Sequence, residues 1–199
     1  MKKSIIAFCI CTLALSFTTY SQKIKLKEGS LDKITSESEF NIEFTYDSLQ
    51  IKKFANEAEY VAYITAYYNK QYEGGGDKQA ERWISDRESK YKPKFNLLFE
   101  KYSKTQVSSK AKYTIIFHTT YMDMGPNPTG VNRSSGRQVS IDGEVIIVET
   151  ANRNNKIALL SVENEKGGTF ESRYDPGTQI AQCYFNAGKD LGRLISKAD

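Results

Sequence analysis

The chain has 199 residues, 39% of them hydrophobic and 26% charged, the balance of a globular protein rather than a disordered, collagenous or polytopic membrane chain. A chain of this length buries roughly 70% of the surface that its unfolded form exposes, so a single domain can form without a disulfide scaffold or a structural metal. With one His, one Trp and 3 Cys, the raw material for zinc sites and nucleophilic triads is nearly absent, and neither a metal nor another cofactor is expected.

The first segment reads as a secretory signal peptide. Lys2 and Lys3 precede an apolar run from Ile5 to Leu15, and Thr19-Tyr20-Ser21 places small residues where a cleavage site needs them, so residues 1–21 are expected to be removed before Gln22. The run is shorter than the roughly 18 residues of a spanning helix, so no transmembrane segment is expected in the mature chain, 22–199. Cys9 and Cys11 lie inside the run rather than at its end, which argues against a lipid anchor. Cleavage takes two lysines from a formal charge of +4, leaving a nearly neutral protein without the clustered basic excess of a nucleic-acid binder. It also leaves Cys183 alone, so no intramolecular disulfide can form despite the oxidising destination.

Residues 22–38 are polar and Lys-rich and read as a short strand or a loose arm. Phe40, Ile42, Phe44 and Tyr46 then alternate with polar residues, the period of a half-buried strand, which continues through Leu49, Ile51 and Phe54 after a turn at Asp47-Ser48. Asn56 and Glu59 form a capping box, and Val61, Ile64, Tyr68 and Tyr72 follow at helical spacing, which predicts a helix over about Glu57 to Gln71 ended by Gly74-Gly75-Gly76. A second helix capped by Asp77 would carry Ala80, Trp83, Ile84, Arg87 and Tyr91 and stop at Pro93, which begins a third with Phe95, Leu98, Phe99 and Tyr102.

From Lys112 the period becomes two. Tyr113, Ile115, Phe117, Thr119 and Tyr121 should share one strand face, with Ile116, His118 and Met122 on the other. Strands over Gln138 to Glu149 and Lys156 to Glu163 should pair as a hairpin through Asn152-Arg153-Asn154-Asn155. Asp175-Pro176 supplies an N-cap and first-turn proline for a closing helix with Ile180, Tyr184, Ala187, Leu191 and Leu194 inside, on which Gly188 and Gly192 allow close packing. The order of elements predicts an α+β fold: a largely antiparallel or mixed sheet of about 4–5 strands with helices packed on one face.

Paired strands followed by a helix ending in Gly188-Lys-Asp-Leu-Gly192, behind a signal peptide, resemble the small periplasmic α+β domains of envelope-assembly proteins, such as that of the curli secretion channel. The likeness spans about Lys112 to Lys197 and implies a domain without catalytic residues. The Ser21-Gln22 cleavage site resembles those of secreted proteins of Bacteroidota, and Asp47-Ser48-Leu49 resembles their protein O-glycosylation site, which would place a glycan on Ser48.

Chemistry-bearing residues are few. His118 has no second His or Cys at metal-ligand spacing and reads as structural, as does Cys183 beside an apolar helix stripe. Met122 to Arg137 is too long for a hairpin turn and is expected to be an exposed, mobile contact loop, offering Asp123, Asn132, Arg133 and Arg137. Tyr60, Tyr63, Tyr67, Tyr68 and Tyr72 wrap around one helix, so those left outside, with Tyr63 and Tyr67 foremost, can stack on sugars or fill a protein interface. The expectation is a secreted or periplasmic, non-catalytic binding or assembly protein of the cell envelope whose partner is an envelope protein or glycan and not a nucleic acid. The alternative is a small hydrolase at the 122–137 loop, using His118, Asp123 and Arg133, which would have to converge.

Overall fold

The computed structural model describes residues 23–125, 139–167 and 175–197. The expected leader and three of the loop residues, Asn132, Arg133 and Arg137, lie outside these. Within them the chain is α+β: β1 (Ile24–Gly29), β2 (Glu39–Thr45), β3 (Gln50–Ile51), α1 (Glu57–Asn69), α2 (Gly75–Asp86), α3 (Lys92–Ser103), β4 (Gln106–Val107), β5 (Tyr113–Asp123), β6 (Val139–Glu149), β7 (Asn152–Gly167) and α4 (Pro176–Ser196).

The sheet has seven strands among the described residues rather than four or five, ordered β1-β7-β6-β5-β2-β4 with β3 also on β5. β1 falls in the stretch read as a short strand or a loose arm and β3 where the alternation is expected to continue through Leu49 and Ile51, while the two-residue β4 is too short to show a period. β5, β6, β7 and β1 pair antiparallel, whereas β2 and β3 both run parallel to β5 and β4 runs parallel to β2. The sheet is therefore mixed. A parallel neighbour needs a long crossover, and the helices between β2 and β5 supply it.

Four local expectations are corrected. The β6–β7 hairpin turns at Thr150-Ala151, with Glu149 opposite Asn152, so the Asn-rich stretch begins a strand instead of forming the turn. The register of β5 shifts between Thr119 and Tyr121, so Met122 is buried while Tyr121 is only half-buried, reversing the expected phase. Because β5 runs on to Asp123 and Met124 is also buried, the first residues of the expected exposed loop belong to the core. Ile84, placed on the buried stripe, is 51% exposed.

Pro93 does not stop the second helix either. α2 passes through a π-helical turn at Arg87–Tyr91, where the Lys92 amide bonds the Arg87 carbonyl, straight into α3 with Pro93 in its first turn. A proline inside a regular helix loses one hydrogen bond and clashes with the carbonyl four residues back. The extra residue of the π turn takes up that misfit and rotates Arg87 and Tyr91 relative to a regular helix.

Helices cover the sheet face that bears Phe117 and Thr119. Phe44, Phe95, Phe117 and Tyr184 form a mutual ring cluster with centroids 5.2–5.9 Å apart, and Thr119 Oγ1 lies 2.7 Å from the Tyr184 hydroxyl. On the middle of the opposite face Ile116, His118, Ile146, Leu159 and Ser161 are half-buried and Glu144 is exposed.

α4 lies against α3 as the glycine spacing predicts: a Cβ on Gly188 would meet the Phe95 carbonyl, and one on Gly192 the Phe99 carbonyl. Gly188→Ala therefore sets a helix-propensity gain of about 1 kcal/mol against a backbone collision that typically costs 1–3 kcal/mol. Because α3 cannot retreat without opening the Phe95 cluster, a net loss of about 1–2 kcal/mol is expected in urea unfolding.

Candidate functional site

The residues singled out by sequence do not form one site. His118 Nδ1 lies 2.9 Å from Thr45 Oγ1 on the sheet face away from the helices, and across the β5–β6 ladder it faces Glu144. Asp123 stands five residues further along the strand, roughly 16 Å at the usual rise. It is held by Lys52 Nζ at 3.3 Å and accepts the Gly125 amide at 2.8 Å. The structure thus does not bring together the first two members of the hydrolase constellation, and the third, Arg133, is outside the described residues.

Cys183 is fully buried on α4, its thiol 3.7 Å from the carbonyls of Val139 and Gln179 and pushed well above its ordinary pKa by burial. That is the opposite of what a thiolate nucleophile requires. Among the described residues no three His, Cys, Asp or Glu side chains gather as metal ligands, and no helix is long and apolar enough to cross a membrane. Ser48 is exposed in a turn at φ +59°, with Leu49 buried beside it.

The tyrosines of α1 do form a surface. The helix begins as its capping box predicts: Asn56 Oδ1 accepts the Glu59 amide at 3.0 Å and Glu59 Oε2 reaches back to the Ala55 amide at 3.0 Å. Tyr60 turns inward, 2% exposed, while Tyr63 is half-buried and Tyr67 is 39% exposed. Phe54, Tyr63 and Tyr67 make a strip with centroids 5.1 and 6.3 Å apart, the two tyrosine rings inclined by only 21°. Lys53 Nζ sits 5.5 and 5.6 Å from the Phe54 and Tyr63 ring centres. The strip turns the corner through Tyr68, 5.1 Å from Tyr67, to Tyr72.

Behind this strip lies a constellation that sequence reading missed. Gly76 lets α2 pack on α1, since a Cβ there would strike the Thr65 carbonyl, and Asn69 Oδ1 caps the Gly76 amide at 2.7 Å. α2 then brings Trp83 to 4.7 Å from Tyr60, and Glu57 accepts both the Trp83 indole N–H and the Arg87 guanidinium. Arg87 also lies 4.0 Å over the Tyr46 ring, and burial lifts the Tyr46 phenol to about 12.

One turn on, the start of α4 closes the floor. Asp175 caps α4 by accepting the Gly177 amide at 3.1 Å and the Thr178 hydroxyl at 2.7 Å, and pairs with Lys90 at 3.0 Å and Arg82 at 3.3 Å. Burial opposes ionisation of its carboxyl, but the Thr178 and Lys90 bonds prevail and hold its pKa below the usual range. Asp86, 6% exposed, takes Lys90 at 3.1 Å and presses against Gly177, where a Cβ would collide with its carboxylate.

Between these groups lies a cavity of about 30 Å³, lined among others by Tyr60, Trp83, Asp86, Tyr91, Arg82 and Asp175. Tyr91 stacks on Tyr184 at 5.1 Å and 12°, and its buried hydroxyl has no hydrogen-bond partner among the described residues. Burial, reinforced by the Asp86 charge, keeps that phenol protonated far above its ordinary range.

The available signals were the Asp86/Lys90 spacing and the Asp175-Pro176-Gly177 cap; nothing local says that residues 85 positions apart meet. No protein-family model, curated protein or solved structure matches the chain, so no family and no activity come to it by likeness.

Proposed function

We propose that the protein is an exported, non-catalytic binding or assembly component of the cell envelope, and that it meets its envelope glycan or protein partner through the aromatic strip of α1. The observation that carries this reading is the run Phe54–Tyr63–Tyr67, half-buried at its first two rings and exposed at Tyr67, with Lys53 above it. Rings of this kind combine a large apolar area with a hydroxyl and lose little entropy on binding, which suits both the CH faces of sugars and the centre of a protein interface. The leader-like first 21 residues and the resemblance to periplasmic assembly domains support an envelope setting. The dispersal of His118, Asp123 and Cys183 speaks for binding over hydrolysis.

Tyr67→Ala removes an exposed ring without opening the core, so its effect on stability should stay within about 0.5 kcal/mol. Binding of the 22–199 protein to immobilised envelope polysaccharides and to detergent-solubilised envelope proteins should fall at least tenfold in whichever arm shows binding. Undiminished binding by Tyr67→Ala would remove the strip from the interface and this reading with it.

A further inference from the structure

We infer that the outer face of the α3–α4 pair docks the protein on an anionic phospholipid surface, with the two helices lying flat in the headgroup layer. This face belongs to other elements than the aromatic strip of α1 and does not rest on it.

Parallel packing builds the face. Phe95 meets Gly188 and Phe99 meets Gly192, so α3 and α4 run side by side in the same direction, and what points outward on one continues onto the other. Along α3, Lys94, Leu97 and Lys101 follow at i, i+3 and i+7, with Lys104 at the C-cap extending the row. Along α4, Phe185, Lys189 and Arg193 follow at i, i+4 and i+8. Two contacts join the rows. Lys94 Nζ lies 5.7 Å from the Phe185 ring centre, and the Arg193 guanidinium lies 4.6 Å from that of Tyr102, which Lys101 flanks at 5.7 Å.

Three observations point to the partner. The first is charge. Among the described residues Lys94, Lys101, Lys104 and Lys189 form no ion pair, and Arg193 has only Asp190, at 4.0 Å. On the sheet, by contrast, Lys25 and Lys27 are matched by Glu163, Arg153 by Glu43 and Lys156 by Glu28. The 22–199 chain is nearly neutral, so the excess is local, and a row of like charges repels itself until an anionic surface meets it.

The second is Leu97, 57% exposed amid these lysines. A polyanion in solution meets the charges and leaves Leu97 in water, whereas the boundary between headgroups and acyl chains accepts both. The third is how the cations are held. Lys94 and Arg193 lie over Phe185 and Tyr102, which are half-buried. At a membrane the charged heads can rise to the phosphates on their flexible stems while the rings and Leu97 turn toward the acyl boundary.

The test sediments the 22–199 protein with large unilamellar vesicles of phosphatidylcholine, either alone or with about 30% phosphatidylglycerol. Binding at least tenfold tighter to the mixed vesicles is expected at low ionic strength, falling steeply toward about 0.5 M salt as the charges are screened. Lys94→Gln combined with Lys101→Gln preserves helix propensity and should weaken binding about 25-fold, at about fivefold per charge. Leu97→Gln should weaken it by about threefold to tenfold, and both variants should keep the parent melting temperature.

No binding to the mixed vesicles at low salt, or binding indifferent to the lysine substitutions, would overturn the membrane face. Vesicle binding untouched by Leu97→Gln, or a short DNA duplex or heparin bound as tightly as the mixed vesicles, would reduce it to a general polyanion patch and overturn it as well. Tyr67→Ala should leave vesicle binding unchanged; a loss there would move the contact to α1. Failure on vesicles leaves the separate test of the α1 strip standing.

Discussion

Phe117→Ala is expected to lower the unfolding free energy by about 3–5 kcal/mol, among the largest single losses available to the fold. Phe117 is 0% exposed at the centre of β5, with its ring 5.4–5.9 Å from those of Phe95, Tyr184 and Phe44. Those three rings belong to α3, α4 and β2, so the deleted volume lies where three elements meet. The side chains around it are themselves held, Tyr184 by Thr119 and Phe95 by the close approach of Gly188, which limits collapse into the space. The cost should therefore exceed that of losing the transfer energy alone. Urea denaturation checks it: the midpoint should fall with the slope unchanged.

Glu165→Gln should act in the opposite direction, and only at neutral pH. Glu165 is 4% exposed near the end of β7, one of its carboxylate oxygens has no hydrogen-bond partner among the described residues, and burial and Asp190 raise its pKa from 4.5 to about 7. Below pH 4.5 the group is protonated in both folded and unfolded chains and costs nothing. Between 4.5 and 7 the unfolded chain releases the proton and the folded one keeps it, so stability falls by about 1.4 kcal/mol per pH unit. The full penalty at pH 8 is about 3 kcal/mol on this account. The glutamine variant should lose this slope; a constant cost of up to about 2 kcal/mol for its imperfectly bonded amide puts it level with or below the parent near pH 4.5 and about 1–3 kcal/mol above it at pH 8. Parallel pH profiles of parent and variant would disprove a charge penalty at this position.

Elements whose cause is local were legible. The alternation of Phe40 and Ile42, the Asn56/Glu59 cap, the Asp175-Pro176 start and the Gly188/Gly192 spacing all appear where the sequence puts them, because each is decided within one or two turns of chain. What failed was decided elsewhere. The Asn-rich stretch at 152–155 has turn chemistry, but the ladder to β6 claims it and moves the reversal to Thr150-Ala151. Pro93 has breaker chemistry, but the packing of α3 against α4 and the slack of one π turn keep the helix going. Of the candidate site, the exposure of Tyr67 and part of Tyr63 could be anticipated, because a helix with rings all round must show some of them. The Asp86–Tyr91–Asp175 cavity was not, since its charges come from ordinary helix and cap positions and acquire meaning only through contact.

The parallel pairing of β2 with β5 has a consequence for the order of assembly. Asn41 lies beside Thr114 and Lys25 opposite Ser161, so both early strands wait for partners made much later. Closing loops of that span costs entropy before any ladder bond repays it, and topologies rich in distant pairings fold slowly for their size. A ribosome that has released only the first hundred residues has produced three strands, two helices and most of a third, with no sheet for them to lie against. The β5–β6–β7 meander, contiguous apart from one connection, is the natural template, and β1 and β2 add to its two sides once it exists. Until then the early strands lack their partners, a state that the export proposed above would require of the chain.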